Sequence, residues 1–167
     1  MQHINFTTRL RAYYMQEEKH FINSIYYQLE QTAKYCKYLG NQLFERLNFE
    51  IPLDEFVVLD TILVHGEICQ RDLAKLILKD RPSTGRLLNS LEKKGLIKRF
   101  ADTKNNRLVR KTKLTTKGQK ILEKLTVKLK AYFSNLPDMI SGQKVLELKS
   151  RIQEFREGLE KEVEMKI

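Results

Sequence analysis

Few folds can accommodate the stretch from Gln70 to Gly118, QRDLAKLILKDRPSTGRLLNSLEKKGLIKRFADTKNNRLVRKTKLTTKG. It predicts a short helix, a turn, a second helix and then a basic hairpin. The first helix is expected over Gln70–Leu78, with Leu73, Ala74 and Ile77 inward. Cys69 stands at its N-cap position, and Asp72 falls three residues on, as in a capping box. Asp80 can cap the next helix, and Pro82 is tolerated in that helix's first turn. This second helix should run Arg81–Lys94, with Leu87, Leu88 and Leu91 inward, and stop at Gly95. Leu96–Phe100 then alternates as a strand, Ala101–Asn106 reads as a polar turn, and Arg107–Leu114 returns. Thr115 caps a further helix over Thr116–Phe133. Upstream, Leu53–Val64 is amphipathic, starts after Pro52 and stops at Gly66, with Ile68 as a short bridge.

The charge is uneven. Between Arg71 and Lys120 there are 16 Lys/Arg and 4 Asp/Glu, a local balance of +12. The whole chain carries +10, so the remainder sums to −2. A compact unit holding all of the excess positive charge is the electrostatic footprint of a polyanion-binding surface, with duplex DNA the best fit.

The flanks are helical and apolar on one face. From Thr8 to Leu47 there is no proline, and Ile22, Ile25, Leu29, Ala33, Cys36, Leu39, Leu43 and Leu47 recur in steps of three and four. That stripe would make a rod of roughly 40 Å, too long for a small core to cover. Gly40-Asn41 is a candidate kink. After Leu136-Pro137-Asp138, Ser141 can cap a helix to about Met165, with a heptad-like seam of Val145, Leu148, Ile152, Phe155, Leu159 and Val163. Two such seams around a compact middle predict a homodimer. The expected division is 1–50 as an N-terminal dimerisation region, 51–118 as the DNA-binding domain and 119–167 as C-terminal dimerisation helices.

Other classes find little support. No apolar run approaches the roughly 20 residues needed to span a bilayer, so no membrane partner is expected. The N-terminus lacks the apolar core of a signal peptide, which predicts a cytoplasmic protein. Cys36 and Cys69 lack metal-ligand spacing, and the three histidines are scattered; His20 and Glu17 share a helical face, as chance also allows. No metal or cofactor is expected. No nucleophile–base pair suggests an enzyme. Cys36 lies on the apolar stripe and is expected to be buried. Cys69, at a helix N-terminus beside Arg71, is electrostatically the better redox sensor.

A helix of about 14 residues, tethered across a short turn to a shorter one, fits the major groove of duplex DNA. Residues in its first turns reach base edges: here Arg81, Ser83, Thr84 and Arg86, with Arg86 the candidate for a bidentate contact to guanine. Gln70 and Arg71 open the supporting helix, where phosphates are met. Lys111 is a further candidate phosphate anchor. The hairpin tip holds Lys104, Asn105 and Arg107, and its arginine suits a narrow minor groove. The alternative is a winged-helix module whose basic face meets an acidic protein.

The ordered residues Phe56, Leu59, His65-Gly66, Gln70, Asp72-Leu73-Ala74, Asp80-Arg81, Ser83, Arg86-Leu87, Leu91-Glu92-Lys93-Lys94-Gly95-Leu96-Ile97, Asp102, Asn105, Arg107 and Leu114-Thr115-Thr116-Lys117-Gly118 resemble the MarR family of transcription regulators over roughly 50–120. The resemblance implies a mostly α fold with a small β-hairpin wing: a winged helix-turn-helix core flanked by N- and C-terminal dimerisation helices. It implies a homodimer on a pseudo-palindromic operator, acting as a repressor released by a small-molecule effector, by cysteine oxidation or by metal. Aromatics of the first helix (Tyr13, Tyr14, Phe21, Tyr26, Tyr27, Tyr35, Tyr38) would line an effector site or serve as ordinary core, and His65 follows the same logic. Three departures stand out. The family wing carries Asp-x-Arg where this chain has Asn105-x-Arg107, with Asp102 as a substitute acid. The return strand is one residue longer, which predicts a bulge or a shifted wing. Gly85 sits inside the groove helix at a cost of up to about 1 kcal/mol; close approach to DNA or sequence drift would account for it.

Overall fold

The computed structural model describes residues 20–104, 107–134 and 142–162, with only the backbone described at Lys104, Arg107 and Glu162. It is mostly helical with one small sheet. The elements run α1 (Ile25–Arg46), α2 (Leu53–His65), β1 (Ile68–Cys69), α3 (Gln70–Leu76), α4 (Arg81–Lys93), β2 (Ile97–Lys104), β3 (Arg107–Leu114), α5 (Thr116–Ser134) and α6 (Gly142–Glu162), with a 3-10 turn at Phe21–Asn23 before α1. They form two compact units. One draws on the chain up to Gly40 and from Pro137 on; the other is Asn41–Leu136.

The second unit is built around a core of Val58, Leu59 and Ile62 from α2, Leu73 from α3, Leu88 and Leu91 from α4, Leu96 and Ile97 at the hairpin base, and Leu122 and Leu125 from α5. Each such side chain contributes about 1.5–3 kcal/mol on burial. Phe44, at the end of α1, extends this core through edge-to-face contacts with Phe49 and Phe56. Asp54 and Glu55 sit in the first turn of α2, where the helix dipole favours acids. Gly66 and Gly95 adopt positive φ (72° and 71°) where α2 and α4 end.

Local chemistry moves some predicted boundaries. α3 ends at Leu76, two residues early, because the backbone turns left-handed at Leu78 (φ 51°) and the Lys79 N–H bonds back to the Ala74 carbonyl. The expected capping box does not form. Cys69 makes no side-chain cap bond, and Asp72 pairs with its neighbour Arg71 at 3.2 Å. Asp80 caps α4 as expected: its carboxylate accepts the Ser83 N–H and the Ser83 hydroxyl, both at 2.7 Å.

The sheet order is β1-β3-β2, all antiparallel. β2 and β3 keep a one-to-one register from Ile97↔Leu114 to Lys104↔Arg107. This corrects two expectations. The stretch 101–104 is strand rather than turn, and there is no bulge in the described ladder. Polar side chains suit a two-stranded ribbon with both faces in water, so the longer return strand lengthens the hairpin and leaves the ladder regular.

α5 begins under a second cap. The Thr115 hydroxyl donates to the Gly95 carbonyl at 2.8 Å and accepts the Gly118 N–H at 3.0 Å. A side chain at Gly118 would strike the Leu96 carbonyl oxygen, 2.1 Å from the Cβ position. The Leu-Thr-x-x-Gly close is thus a docking joint between α5 and the hairpin base.

In the first unit, Ser24 starts α1: it is buried, and its hydroxyl accepts the Tyr27 N–H at 3.2 Å. α1 runs through Gly40-Asn41 without interruption, so those residues do not break the helix. α1 begins at this serine cap, one turn of 3-10 helix after His20, and Ile22 of the stripe falls in that turn, which the periodicity did not reveal. The Tyr26 and Phe155 rings lie 5.7 Å apart. Cys36 is exposed, correcting the expectation of a buried thiol, because residues 32–39 of α1 are all exposed. Val145, Leu148 and Ile152 of α6 are exposed as well. The expected helix over residues 8–19 and the Ser141 cap lie outside the described residues.

Candidate nucleic-acid interface

The joint between α3 and α4 is set by side chains. Gln70 donates its amide to the Arg81 carbonyl at 2.9 Å and lies against Gly85, whose Cβ position is 3.1 Å from Gln70 Nε2. Within the chain, then, Gly85 leaves room for the glutamine that ties the two helices. Leu88 and Leu91 turn inward, while Arg81, Arg86, Asn89 and Lys93 turn outward.

Arg86 is exposed and donates to the Ser83 hydroxyl at 2.7 Å. Ser83 itself is engaged with Asp80. The Asp80 carboxyl is held below its usual pKa by the Ser83 N–H, then by the Ser83 hydroxyl, with a smaller contribution from the Arg86 charge. One hydrogen-bonded chain therefore runs from the helix cap to the outward guanidinium. Thr84 must be withdrawn as a nucleic-acid contact: it is fully buried, and its hydroxyl donates to the Asp80 carbonyl at 2.9 Å.

The hairpin is fastened to α4 by Arg99. Its guanidinium donates to Glu92 and, at 2.7 Å, to Asn89 Oδ1. Glu92 is pulled below its usual pKa chiefly by the Arg99 hydrogen bonds, against an opposing burial effect. On the other face, Lys113 stands over the Phe100 ring and pairs with Glu67. Lys111 pairs with Asp102 at 2.6 Å, which raises the lysine's pKa and lowers the aspartate's. Asp102 is thereby spent on Lys111 and on the Thr103 N–H, and Lys111 is not the free phosphate anchor expected from the sequence.

Of the ten residues singled out, Arg81 and Arg86 stand free of any carboxylate on the outer face of α4. Gln70, Arg71, Ser83 and Lys111 are committed to partners within the chain, though Arg71 stays exposed. Lys104 and Arg107 form the last rung of the hairpin, and Asn105 lies outside the described residues. On α4 and the hairpin, the sequence reading passed over Lys93, Lys98 and Arg110. All three are exposed and form no ion pair among the described residues, and the same holds for Lys75 on α3 and Lys120 on α5. Lys93 stands seven residues after Arg86, two helical turns along one face, which was readable. Arg110 needed the hairpin register.

Other features offer less. Among the described residues no group of three His, Cys, Asp or Glu could hold a metal, and no helix is long and apolar enough to cross a membrane. Phe21, Tyr26, Tyr35 and Tyr38 are exposed and Tyr27 is half-buried, while Tyr13 and Tyr14 lie outside the described residues. A groove of about 590 Å³ is lined by Phe44, Phe49, Ile51, Leu53, Asp54 and, from α4, Leu87.

Two helices joined at a fixed elbow, the second bolted to a two-stranded ribbon, define a winged helix-turn-helix domain. Residues 51–109 match the model of the MarR family, and the chain carries a MarR-family domain. Solved structures agree on the fold. The S. aureus MepR–DNA complex is 23% identical, with 84% of this chain and 99% of that one covered at a TM-score of 0.62. A MarR-family transcriptional regulator from Silicibacter pomeroyi is 21% identical, with 82% and 90% covered at 0.68. A cysteine-to-serine variant of E. coli MarR is 22% identical, with 79% and 96% covered at 0.62. No curated protein matches the chain.

Proposed function

We propose that this protein is a sequence-specific, double-stranded DNA-binding transcription regulator of MarR type, acting in the cytoplasm as a homodimeric repressor. The observation that carries the reading is the sorting of charge in the winged unit. The four acids between Arg71 and Lys120 are each committed: Asp72 to Arg71, Asp80 to the α4 cap, Glu92 to Arg99 and Asp102 to Lys111. On α4 and the ribbon, Arg81, Arg86, Lys93, Lys98 and Arg110 are left for a polyanion. In this reading Arg86 meets a base edge in the major groove, supported by Arg81. Lys93 and Lys98 meet phosphates, with Arg71 at the start of α3. The wing residues Lys104, Asn105, Arg107 and Arg110 approach the flanking minor groove. The exposed seams of α1 and α6 supply the dimer contact, which places two such units on a pseudo-palindromic operator.

The groove beside Phe44 and Phe49 supports release by an amphipathic small molecule. It is lined in part by Leu87, so a ligand there bears directly on the reading helix.

Selection of bound duplexes from a random pool tests the proposal. Enrichment of a two-fold symmetric site, with half-sites about one helical turn apart (10–10.5 bp), is the expected result. Equal, weak retention of every duplex at physiological salt, together with tight binding to an acidic protein, would overturn it. Sedimentation at micromolar concentration checks the dimer; a monomer mass refutes that part.

A further inference from the structure

Leu108 is the most exposed of the large hydrophobic residues recorded as exposed, with 80% of its surface open to solvent. It lies one rung from the hairpin tip, opposite Thr103, and the ladder register places it on the same face as Arg99, Ala101, Arg110 and Thr112. At the base of the hairpin that face is occupied: Thr112 is buried and Arg99 grips α4 through Glu92 and Asn89. The wing side fastened to the groove helix therefore ends, at its outer limit, in an uncovered leucine.

The neighbours determine what can cover it. Arg110 follows two residues on, on the same face, exposed and without an ion pair among the described residues. A hydrophobic protein partner would have to desolvate this cation, and the hairpin's one acid, Asp102, already serves Lys111. A DNA minor groove satisfies both demands. Its walls are phosphates for Arg110, and its floor offers sugar edges and base steps against which an apolar side chain can press or wedge.

Resting on the DNA reading above, we infer that Leu108 is a minor-groove wedge: it enters the groove beside each half-site, partly unstacks a base step there and makes the protein select deformable flanking steps. Pyrimidine–purine steps such as TA and CA unstack most readily, so Leu108 would confer sequence preference at pairs with which no hydrogen bond is made.

The test uses the full-length protein and a duplex selected by it, with 2-aminopurine replacing adenine in turn at each flanking position. Unstacking of the probe raises its fluorescence. The expected result is a rise at one flanking step per half-site with the parent protein, its loss with Leu108→Ala and Leu108→Ser, and its retention with Leu108→Met. Leu108→Ala should also weaken binding roughly tenfold, as expected for a leucine side chain losing its burial. Repeating the selection with Leu108→Ala should leave the half-site unchanged and flatten the flank preference. Because the residue is exposed, these variants keep the fold, which circular dichroism checks. If the parent selects an operator but Leu108→Ala binds it with equal affinity and an equal flank signal, the wedge is refuted and the DNA reading stands. If the parent selects no duplex at all, both fall.

Discussion

Gly118→Ala tests whether the joint between α5 and the hairpin is what holds the winged unit together. The added Cβ would sit 2.1 Å from the Leu96 carbonyl oxygen and 3.0 Å from its carbon. Carbon and oxygen normally approach to about 3.2 Å, so a gap of about 1 Å must open. The obstacle is backbone, and it is already engaged, because the Leu96 carbonyl accepts the Thr115 N–H at 3.0 Å. Overpacking of this kind costs about 1–3 kcal/mol. Loosening the Thr115 bond adds about 1 kcal/mol, and the better helix propensity of alanine returns up to about 1 kcal/mol. The expected net loss is about 2–3 kcal/mol, a large share of a typical domain's stability of about 5–15 kcal/mol. In urea titration followed by circular dichroism, the midpoint should fall by about 1–2 M with an unchanged slope. Gly85→Ala is the control. Its Cβ would meet only the end of the Gln70 side chain at 3.1 Å. A glutamine can shift by a few tenths of an ångström, so stability should change by less than about 1 kcal/mol. A Gly118→Ala midpoint equal to or above that of the parent would show that the close approach imposes no constraint.

Three further outcomes are expected. Arg86→Ala should weaken binding to a selected operator by about 1–3 kcal/mol and relax base preference at one position per half-site, as read by competition with single-pair variants; unchanged preference would remove Arg86 from the base-reading role. Asp102→Asn should release Lys111 from its ion pair and strengthen binding to all duplexes alike, steepening the salt dependence by up to about 1 in log–log slope per wing; an unchanged slope would show that Lys111 does not reach phosphate even when free. The Asp80 pKa is lowered in the folded state, so the stabilisation from its ionised form is complete above the usual aspartate value and is lost as pH falls through the depressed one. Asp80→Asn should match the parent near neutral pH, since asparagine caps as well, and should flatten the acid limb of urea midpoint against pH. A parallel acid limb in the variant would contradict this.

The sequence carried the helices of the winged unit almost to the residue, because each boundary has a local cause. Asp80, Pro82, Gly66, Gly95 and Thr115 act over one or two turns, and the inward leucines repeat at helical spacing. Boundaries set by competing partners were harder to read. Cys69-x-x-Asp72 has the spacing of a capping box, but a thiol is a weak acceptor and Asp72 has an arginine beside it. The polar run 101–104 suggested a turn, yet a ribbon outside the core needs no apolar face. The candidate site divided in the same way. Arg81 and Arg86 follow from helix geometry alone. Burial of Thr84, pairing of Lys111 with Asp102 and the freedom of Arg110 all depend on which side chains meet across strands or turns, and charge counting is blind to that.

The distribution of acids decides how the excess charge is to be understood. Lysines and arginines scattered for solubility would be expected to leave acids equally free around them. Here Asp54, Glu55 and Glu67, from outside the densest basic stretch, hold Lys79, Lys94 and Lys113, and the stretch's own acids hold Arg71, Arg99 and Lys111 or cap α4. The pairs of Lys79, Lys94, Lys113 and Arg99 tie α2 to the α3–α4 turn and to the end of α4, and the hairpin to Glu67 and to α4, so these four cations belong to the scaffold. The free ones on α4 and the ribbon then face outward from a frame that other cations keep rigid. A polyanion meeting that frame pays little to order it, because Arg99 and Gln70 already fix the wing and the elbow. This preorganisation, more than the net charge, is what favours the proposal that the unit reads a particular DNA site.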